Sequence, residues 1–403
     1  MRPFGWKILA LAWLISMSLS GHGVWGQDSV PAPSSSPAST TTEQAGKAPA
    51  ADSKIDWPVF RGDAGSTGVA RSKLPDRLEI LWERQIPKNS FASTACLVEL
   101  GDRKVAVLSS GNGPVIALDL MTGEEVWKYE GPVGFVGSVS HRNGRFYAGD
   151  VEGKLYCLDA QGKEVWKFAA EASIDSSPNF FGDNVLITSQ DSWFYCLRAD
   201  NGEVVWKIAA GDQLRSTPTV AGDRAFVAGC DGLLHVINLN DGSEVGNVEI
   251  TSPTGCTPAA LGNAIFFGTE QSGFFAIDWR QSKLLWNYNR EDSPISVRGN
   301  AAVIEGHVLI GTTQRQLVSL NPADGAVQWT ARVKANIESS AVVVGERVFI
   351  GANNGVLYEY NWKNGQPLQS YEFNGGLTGS PAVGFDRLVI ATDRGFVYCL
   401  GAK

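Results

Sequence analysis

A segment of the form Leu-Asp-x-x-x-Gly-x-x-x-Trp, or a close variant of it, recurs along most of the chain at intervals of 39 to 43 residues. A unit of that length cannot bury its own apolar face and must pass it to a neighbour, so a period near forty specifies a stacked or circular array. Copies end at Trp127, Trp166, Trp206, Trp286 and Trp329. Two more keep the turn but carry Gly246 and Gln369 where the Trp would stand.

Within each unit the pattern is that of four short strands. The third unit shows it: Ser176-Ser177-Pro178-Asn179-Phe180, Asn184-Val185-Leu186-Ile187-Thr188, Phe194-Tyr195-Cys196-Leu197 and Glu203-Val204-Val205-Trp206-Lys207. Turn residues separate every pair, as antiparallel hairpins require, and β-branched and aromatic residues dominate the runs. No window beyond the N-terminus has helical periodicity. Such a unit is the blade of a β-propeller.

The two ends of the array complement each other. A lone strand, Leu78-Glu79-Ile80-Leu81-Trp82, precedes the first full unit, and three strands ending in Phe396-Val397-Tyr398-Cys399-Leu400 follow the last. The expected fold is all-β, an eight-bladed propeller of four-stranded antiparallel blades in which the N- and C-terminal strands share one blade and leave no open edge. Trp82, Trp127, Trp166, Trp206, Trp286 and Trp329 are expected to pack between neighbouring blades as structural residues.

Ahead of the array, residues 1–26 have the form of a secretory signal: Arg2 and Lys7, a largely apolar stretch from Ile8 to Leu19, and small residues near Val24-Trp25-Gly26. Ser20-Gly21-His22-Gly23 interrupts the apolar stretch, so cleavage is expected rather than a retained anchor, and no transmembrane span remains after it. No Cys precedes Cys96, and N-terminal lipidation is not expected. Residues 27–56 are rich in Ser, Thr, Ala and Pro and read as a disordered linker. The propeller is assigned to 57–403, and Arg61-Gly62-Asp63 at its start is read as a turn. A periplasmic or secreted location follows.

With the two cations of the leader removed, 32 basic residues face 42 acidic ones with no basic run. Binding to nucleic acid needs clustered cations, so that class is set aside. Cys157, Cys196 and Cys399 occupy one repeat position and read as buried thiols. Cys230 and Cys256 fall near the same mouth of the central channel, and a disulfide between them is an expectation to be tested. His141, His235 and His307 lie in separate units without a second ligand at metal spacing. Asp119, Asp159 and Asp278 precede the motif turn, where a carboxylate caps backbone N–H groups. No hydrolase, zinc-protease or Cys-x-x-Cys signature occurs.

Aligning the Ser/Thr-rich starts of the first strands brings Ala92, Val136, Asp175, Arg215, Gly255, Arg298, Glu338 and Thr378 into one ring at the channel mouth. Asp175 and Arg215 are neighbours there, as are Arg298 and Glu338, and Leu214 adjoins Arg215. Loops at a propeller mouth are free of blade packing, so Asp175, Leu214, Arg215, Arg298 and Glu338 are the candidate partner-binding residues.

Leu158-Asp159-Ala160-Gln161-Gly162-Lys163-Glu164-Val165-Trp166 resembles the tryptophan-docking repeat of propellers of the pyrroloquinoline quinone (PQQ) type, and Trp57-Pro58-Val59-Phe60-Arg61-Gly62 resembles the opening of many exported members. Two classes compete within that group. Quinoprotein dehydrogenases bind PQQ beside a calcium ion held by Glu, Asn and Asp, with an Asp as base and often an adjacent-cysteine disulfide. None of those groups can be matched to residues here, and the long inserts between strands are missing. BamB-like propellers are non-catalytic envelope scaffolds whose family assists outer-membrane protein assembly. The resemblance implies a non-catalytic binding role, a protein partner in the cell envelope, a monomer and no cofactor, with a PQQ-dependent dehydrogenase or small-ligand propeller as the alternative.

Overall fold

The computed structural model describes residues 57–289 and 294–403, so the expected signal (1–26) and linker (27–56) lie outside the described residues. Every strand of the described residues belongs to one of eight four-stranded sheets. Seven are consecutive antiparallel meanders, here blades 1 to 7: 96–129, 140–169, 179–209, 219–249, 259–288, 302–332 and 342–372. Blade 8 takes Ala382–Gly384, Arg387–Ala391 and Phe396–Gly401 from the C-terminal end and Glu79–Gln85 as its outer strand. Glu79 lies opposite Gly401 and Gln85 opposite Phe396, so the two ends of the array pair along the whole strand.

Sequence pattern follows position in the blade. The middle strands, such as Asn184–Thr188, are buried on both faces because each blade is sandwiched between two others. Outer strands such as Val204–Ala209 alternate exposed and half-buried residues. Where the third strand meets the outer one, the register slips in every blade, between Cys196 and Leu197 for example. A bulge of this kind increases local twist, which a propeller blade needs between its hub and its rim. No helix among the described residues is long and apolar enough to cross a membrane.

The Ser/Thr column at the hub has a defined job. The backbone N–H of Thr94 donates to Ser138 Oγ, Ser138 to Ser177, Ser177 to Thr217, Thr217 to Thr257, Thr257 to Asn300 Oδ1, Asn300 to Ser340 and Ser340 to Ser380. Each bond joins one blade to the next, and at the seam the hydroxyl of Thr94 is buried without a partner. Small hydroxyl side chains suit this place because they satisfy a neighbour's buried N–H without filling the hub.

A strap from Trp57 to Ser72 runs around the hub and touches every blade. Its Trp57 exchanges two backbone hydrogen bonds with Leu97 in blade 1, and the carbonyls of Pro58, Ala64, Gly65, Thr67 and Gly68 accept from His141, Val220, Ala260, Val303 and Val343 of blades 2, 4, 5, 6 and 7. Asn179 of blade 3 donates to Ala64 O, and Phe385 of blade 8 donates to Ser72 Oγ. Arg61-Gly62-Asp63 is a turn inside this strap. Arg61, only 1% exposed, donates to the carbonyls of Ala301 and Ala341, and burial pulls its guanidinium below its ordinary pKa against the opposing pull of Asp63.

Candidate binding surface at the channel mouth

The strap bonds to the inner strands five residues beyond the mouth column, at Leu97, His141, Val220, Ala260, Val303 and Val343 against Ala92, Val136, Arg215, Gly255, Arg298 and Glu338. The Ser/Thr girdle lies between the two, two residues after the mouth column and three before the strap contacts. One end of the hub is therefore closed by the strap, and the mouth column lies at the other.

All eight residues of that column are exposed or half-buried. The residues just before them, Phe91, Phe135, Ile174, Leu214, Thr254, Val297, Ile337 and Leu377, are buried, and the Ser/Thr girdle lies two residues after. Each mouth residue is thus a solvent-facing position between two structural ones. Leu214 belongs to the buried column: it is 1% exposed and packs with Phe194, Val227 and Ile237 between blades 3 and 4. The expectation that Leu214 adds an apolar contact to the surface is corrected by this burial, and the apolar column running through its aligned neighbours was the signal that would have shown it.

The two charge pairs differ. Arg298 Nη1 lies 3.4 Å from Glu338 Oε1, a direct ion pair with the arginine side chain 58% exposed. Asp175 instead accepts from Ser173 and from Gln190, while Arg215 donates to Gln213 Oε1 at 3.1 Å and more weakly to Gln190 Oε1 at 3.5 Å. Gln190 thus stands between Asp175 and Arg215. Exposed pairs of this kind contribute little to folding, ~0 to 1 kcal/mol, and leave the guanidinium groups available.

Cys230 and Cys256 are both free, which corrects the expected disulfide. Cys256 is buried, its Sγ lies 3.1 Å from Val297 O of blade 6, and burial pushes the thiol up to about 12. That thiol serves the contact to blade 6 rather than reaching back towards Cys230.

The motif tryptophans lie at the rim. A side chain added at Gly123, Gly162, Gly202, Gly242, Gly325 or Gly365 would run into the ring of Trp82, Trp127, Trp166, Trp206, Trp286 or Trp329 of the preceding blade. Indole N–H groups of Trp82, Trp166, Trp286 and Trp329 donate to the carbonyls of Leu120, Ala199, Pro322 and Trp362 in the next blade's turn. The carboxylates of Asp119, Asp159 and Asp278 accept from two backbone N–H groups apiece in those turns.

Of the histidines, His235 lies between Asp231 (2.8 Å) and Glu244 (3.0 Å). Burial lowers its pKa, but the hydrogen bonds and charges of the two carboxylates prevail and hold it above the ordinary imidazole value. His307 bonds Ser319. No group of three or more His, Cys, Asp or Glu gathers at metal-binding distance among the described residues. The mouth presents charged and hydrogen-bonding side chains, Arg215, Arg298 and Glu338 among them, to solvent.

A family model described as outer membrane protein assembly factor BamB matches residues 75–161, 111–195 and 151–403. BamB of Nitrosomonas eutropha is 24% identical over 123 residues, 30% of this chain and 29% of that protein. BamB of Legionella pneumophila is 24% identical over 136 residues, 34% of each. The aligned stretches thus span about a third of the curated relatives they match. Among solved structures, BamB from Moraxella catarrhalis superposes with a TM-score of 0.66 at 19% identity, covering 81% of this chain and 98% of that one. A europium-containing methanol dehydrogenase superposes with a TM-score of 0.71 at 12% identity, covering 86% and 98%. At such identities the superpositions establish the propeller fold alone.

Proposed function

Given that the chain belongs to the family of the outer membrane protein assembly factor BamB, we propose that it is a non-catalytic protein-binding scaffold of the cell envelope, acting in outer-membrane protein assembly through the open mouth of its propeller. The observation that carries this reading is the mouth column itself. Its residues face solvent while the columns on either side are committed to core and girdle. Arg215 and Arg298 stand in that column, and guanidinium groups are frequent anchors of protein interfaces because they offer planar, multidentate hydrogen bonding. Closure of the opposite end by the strap supports assigning the partner to this mouth. The location is periplasmic or secreted, the working state a monomer, and the partner a protein rather than a nucleic acid.

A dehydrogenase of the same fold is the competing reading. It would need PQQ and a calcium ion, and among the described residues no cluster of three or more carboxylate, His or Cys groups gathers to hold the metal. Fold likeness alone does not carry an activity. The experiment that separates the two places a photocrosslinking residue at Val136 or Thr378 and identifies adducts in native envelopes. Adducts to an envelope assembly protein are expected. Saturable PQQ binding with calcium-dependent dye reduction, and no protein adduct, would overturn the proposal.

A further inference from the structure

Three departures from the repeat coincide between blades 1 and 2. The first is a deletion. Six motif turns run four residues from their first position to the Gly or Ser site, as from Asp119 to Gly123, whereas Asp159 reaches Gly162 in three. Accordingly Gly162 N–H bonds back three residues to Asp159 O, while Gly123, Gly202, Gly242, Gly325 and Gly365 bond back four. The second follows from it. In four other turns the residue after the first position supplies the carbonyl that accepts the preceding blade's indole, and with blade 2 shortened the Nε1 of Trp127 is buried without a partner. The third is His141. Its aligned column reads Leu97, His141, Phe180, Val220, Ala260, Val303, Val343 and Val383, apolar everywhere else, and neither ring nitrogen of His141 has a partner.

These changes border one open cleft of about 770 Å³, walled by Val105 and Val126 and bounded by Trp127, His141 and the short turn at Ala160 and Gln161. The deletion accounts for it. At the position missing from blade 2, Leu120 and Leu239 are fully buried and Ala199, Trp279, Pro322 and Trp362 half-buried at their own interfaces. Ligand sites of proteins commonly have this size and this mixture of apolar walls with a few convergent polar groups. His141 is 5% and Trp127 9% exposed; both residues border the cleft, and their three nitrogens are buried without partners. Buried polar atoms are otherwise nearly always hydrogen-bonded.

We propose that this cleft is a binding site for an uncharged amide. The partner that Trp127 lacks is, at the sister interfaces, a backbone carbonyl, so the group that replaces it is a neutral carbonyl oxygen. His141, held neutral by burial, offers one N–H and one lone pair, which matches the C=O and N–H of an amide. An anion is disfavoured: Glu99 stands at the cleft, and the one guanidinium there, Arg103, is paired with Asp119 at 3.5 Å. The site is separate from the channel mouth and does not depend on the partner assigned to it.

The test follows the indole N–H resonance of Trp127, assigned with Trp127→Phe, in the full chain as N-acetylleucine amide or the acid N-acetylleucine is added. The amide should give a saturable shift and the acid at least tenfold weaker binding. A blocked valine pentapeptide amide separates the sources: tighter binding than the single amide points to a polypeptide, equal binding to a small molecule. His141→Phe, which adopts the residue of the Phe180 position, should weaken amide binding at least tenfold. Inserting Leu between Asp159 and Ala160 restores the common turn and should abolish it while keeping the cooperative melt. An unresponsive Trp127 resonance, equal response to the acid, or unchanged binding after the insertion would overturn the assignment.

Discussion

Gly246 in the outer strand of blade 4 faces Ser282 in the turn of blade 5: a Cβ built on Gly246 would meet the Ser282 hydroxyl. Elsewhere a Trp on one blade covers a Gly on the next, and here a Gly faces a Ser. At this interface Trp279 of the blade 5 turn packs edge-on to Phe226 of blade 4, with ring centroids 5.5 Å apart, and supplies aromatic contact where the repeat loses its Trp. The second loss, at Gln369, has a different cause. Blade 8 has no turn between its third and outer strands because the two ends of the array meet there, so no turn glycine exists to receive a Trp. Gln369 and Arg347 instead hold the incoming segment through the carbonyls of Leu74, Pro75 and Asp76.

The Gly246 and Ser282 pair should show coupling in a double-mutant cycle. Gly246→Trp alone places a large ring against Ser282 and should destabilise by about 1 to 3 kcal/mol, the range for overpacking. Adding Ser282→Gly should recover most of that loss. Chemical denaturation of the four proteins measures it, and strict additivity would show that the two sites do not meet. Trp206→Ala should cost nearer the lower end of the ~3 to 5 kcal/mol typical of a core aromatic, since its outer edge remains accessible.

Two histidines should give stability opposite pH dependences. Burial pushes His141 down to about 4, so below about pH 6.5 the unfolded chain takes up a proton that the folded one refuses. Stability is lost as pH falls from 6.5 towards 4, by up to roughly 3 kcal/mol. His235 is held above its ordinary value, so its contribution is complete below about pH 6.5 and is lost as pH rises through its folded pKa. Thermal melts across this range should show an optimum near neutrality. His141→Phe should flatten the acid limb and His235→Gln the alkaline one. An unchanged acid limb in His141→Phe would contradict the burial of a neutral imidazole.

All six cysteines should alkylate once the chain is unfolded without reductant, and in the folded chain only the half-buried Cys230 should react. Intact mass reads the number directly. A form two thiols short would mean that Cys230 and Cys256 have paired after all.

The architecture was legible because the repeat imposes it. Strand count, blade number and the shared blade 8 all follow from the spacing of the motif and the fragments left at each end. The strap was not, because residues 57–72 bind through backbone carbonyls, which no side-chain pattern records. Leu214 was misplaced for a related reason: adjacency to Arg215 says nothing about facing when side chains alternate. The blade 1 and blade 2 cleft was visible only as a spacing of 39 where the next three are 40, and its meaning depends on which carbonyl that residue would have supplied.

The deciding measurement is partner capture from native envelopes by the parent chain and two double variants. Arg215→Glu with Arg298→Glu should leave the melt nearly unchanged, because both side chains are exposed, and should reduce capture at least tenfold, a loss of about 1.4 kcal/mol. Lys128→Glu with Lys167→Glu, on the outer strands of blades 1 and 2, should capture as the parent does. Loss of capture in the outer-strand pair with full capture by the mouth pair would place the partner on the side of the propeller and contradict the assignment of the mouth.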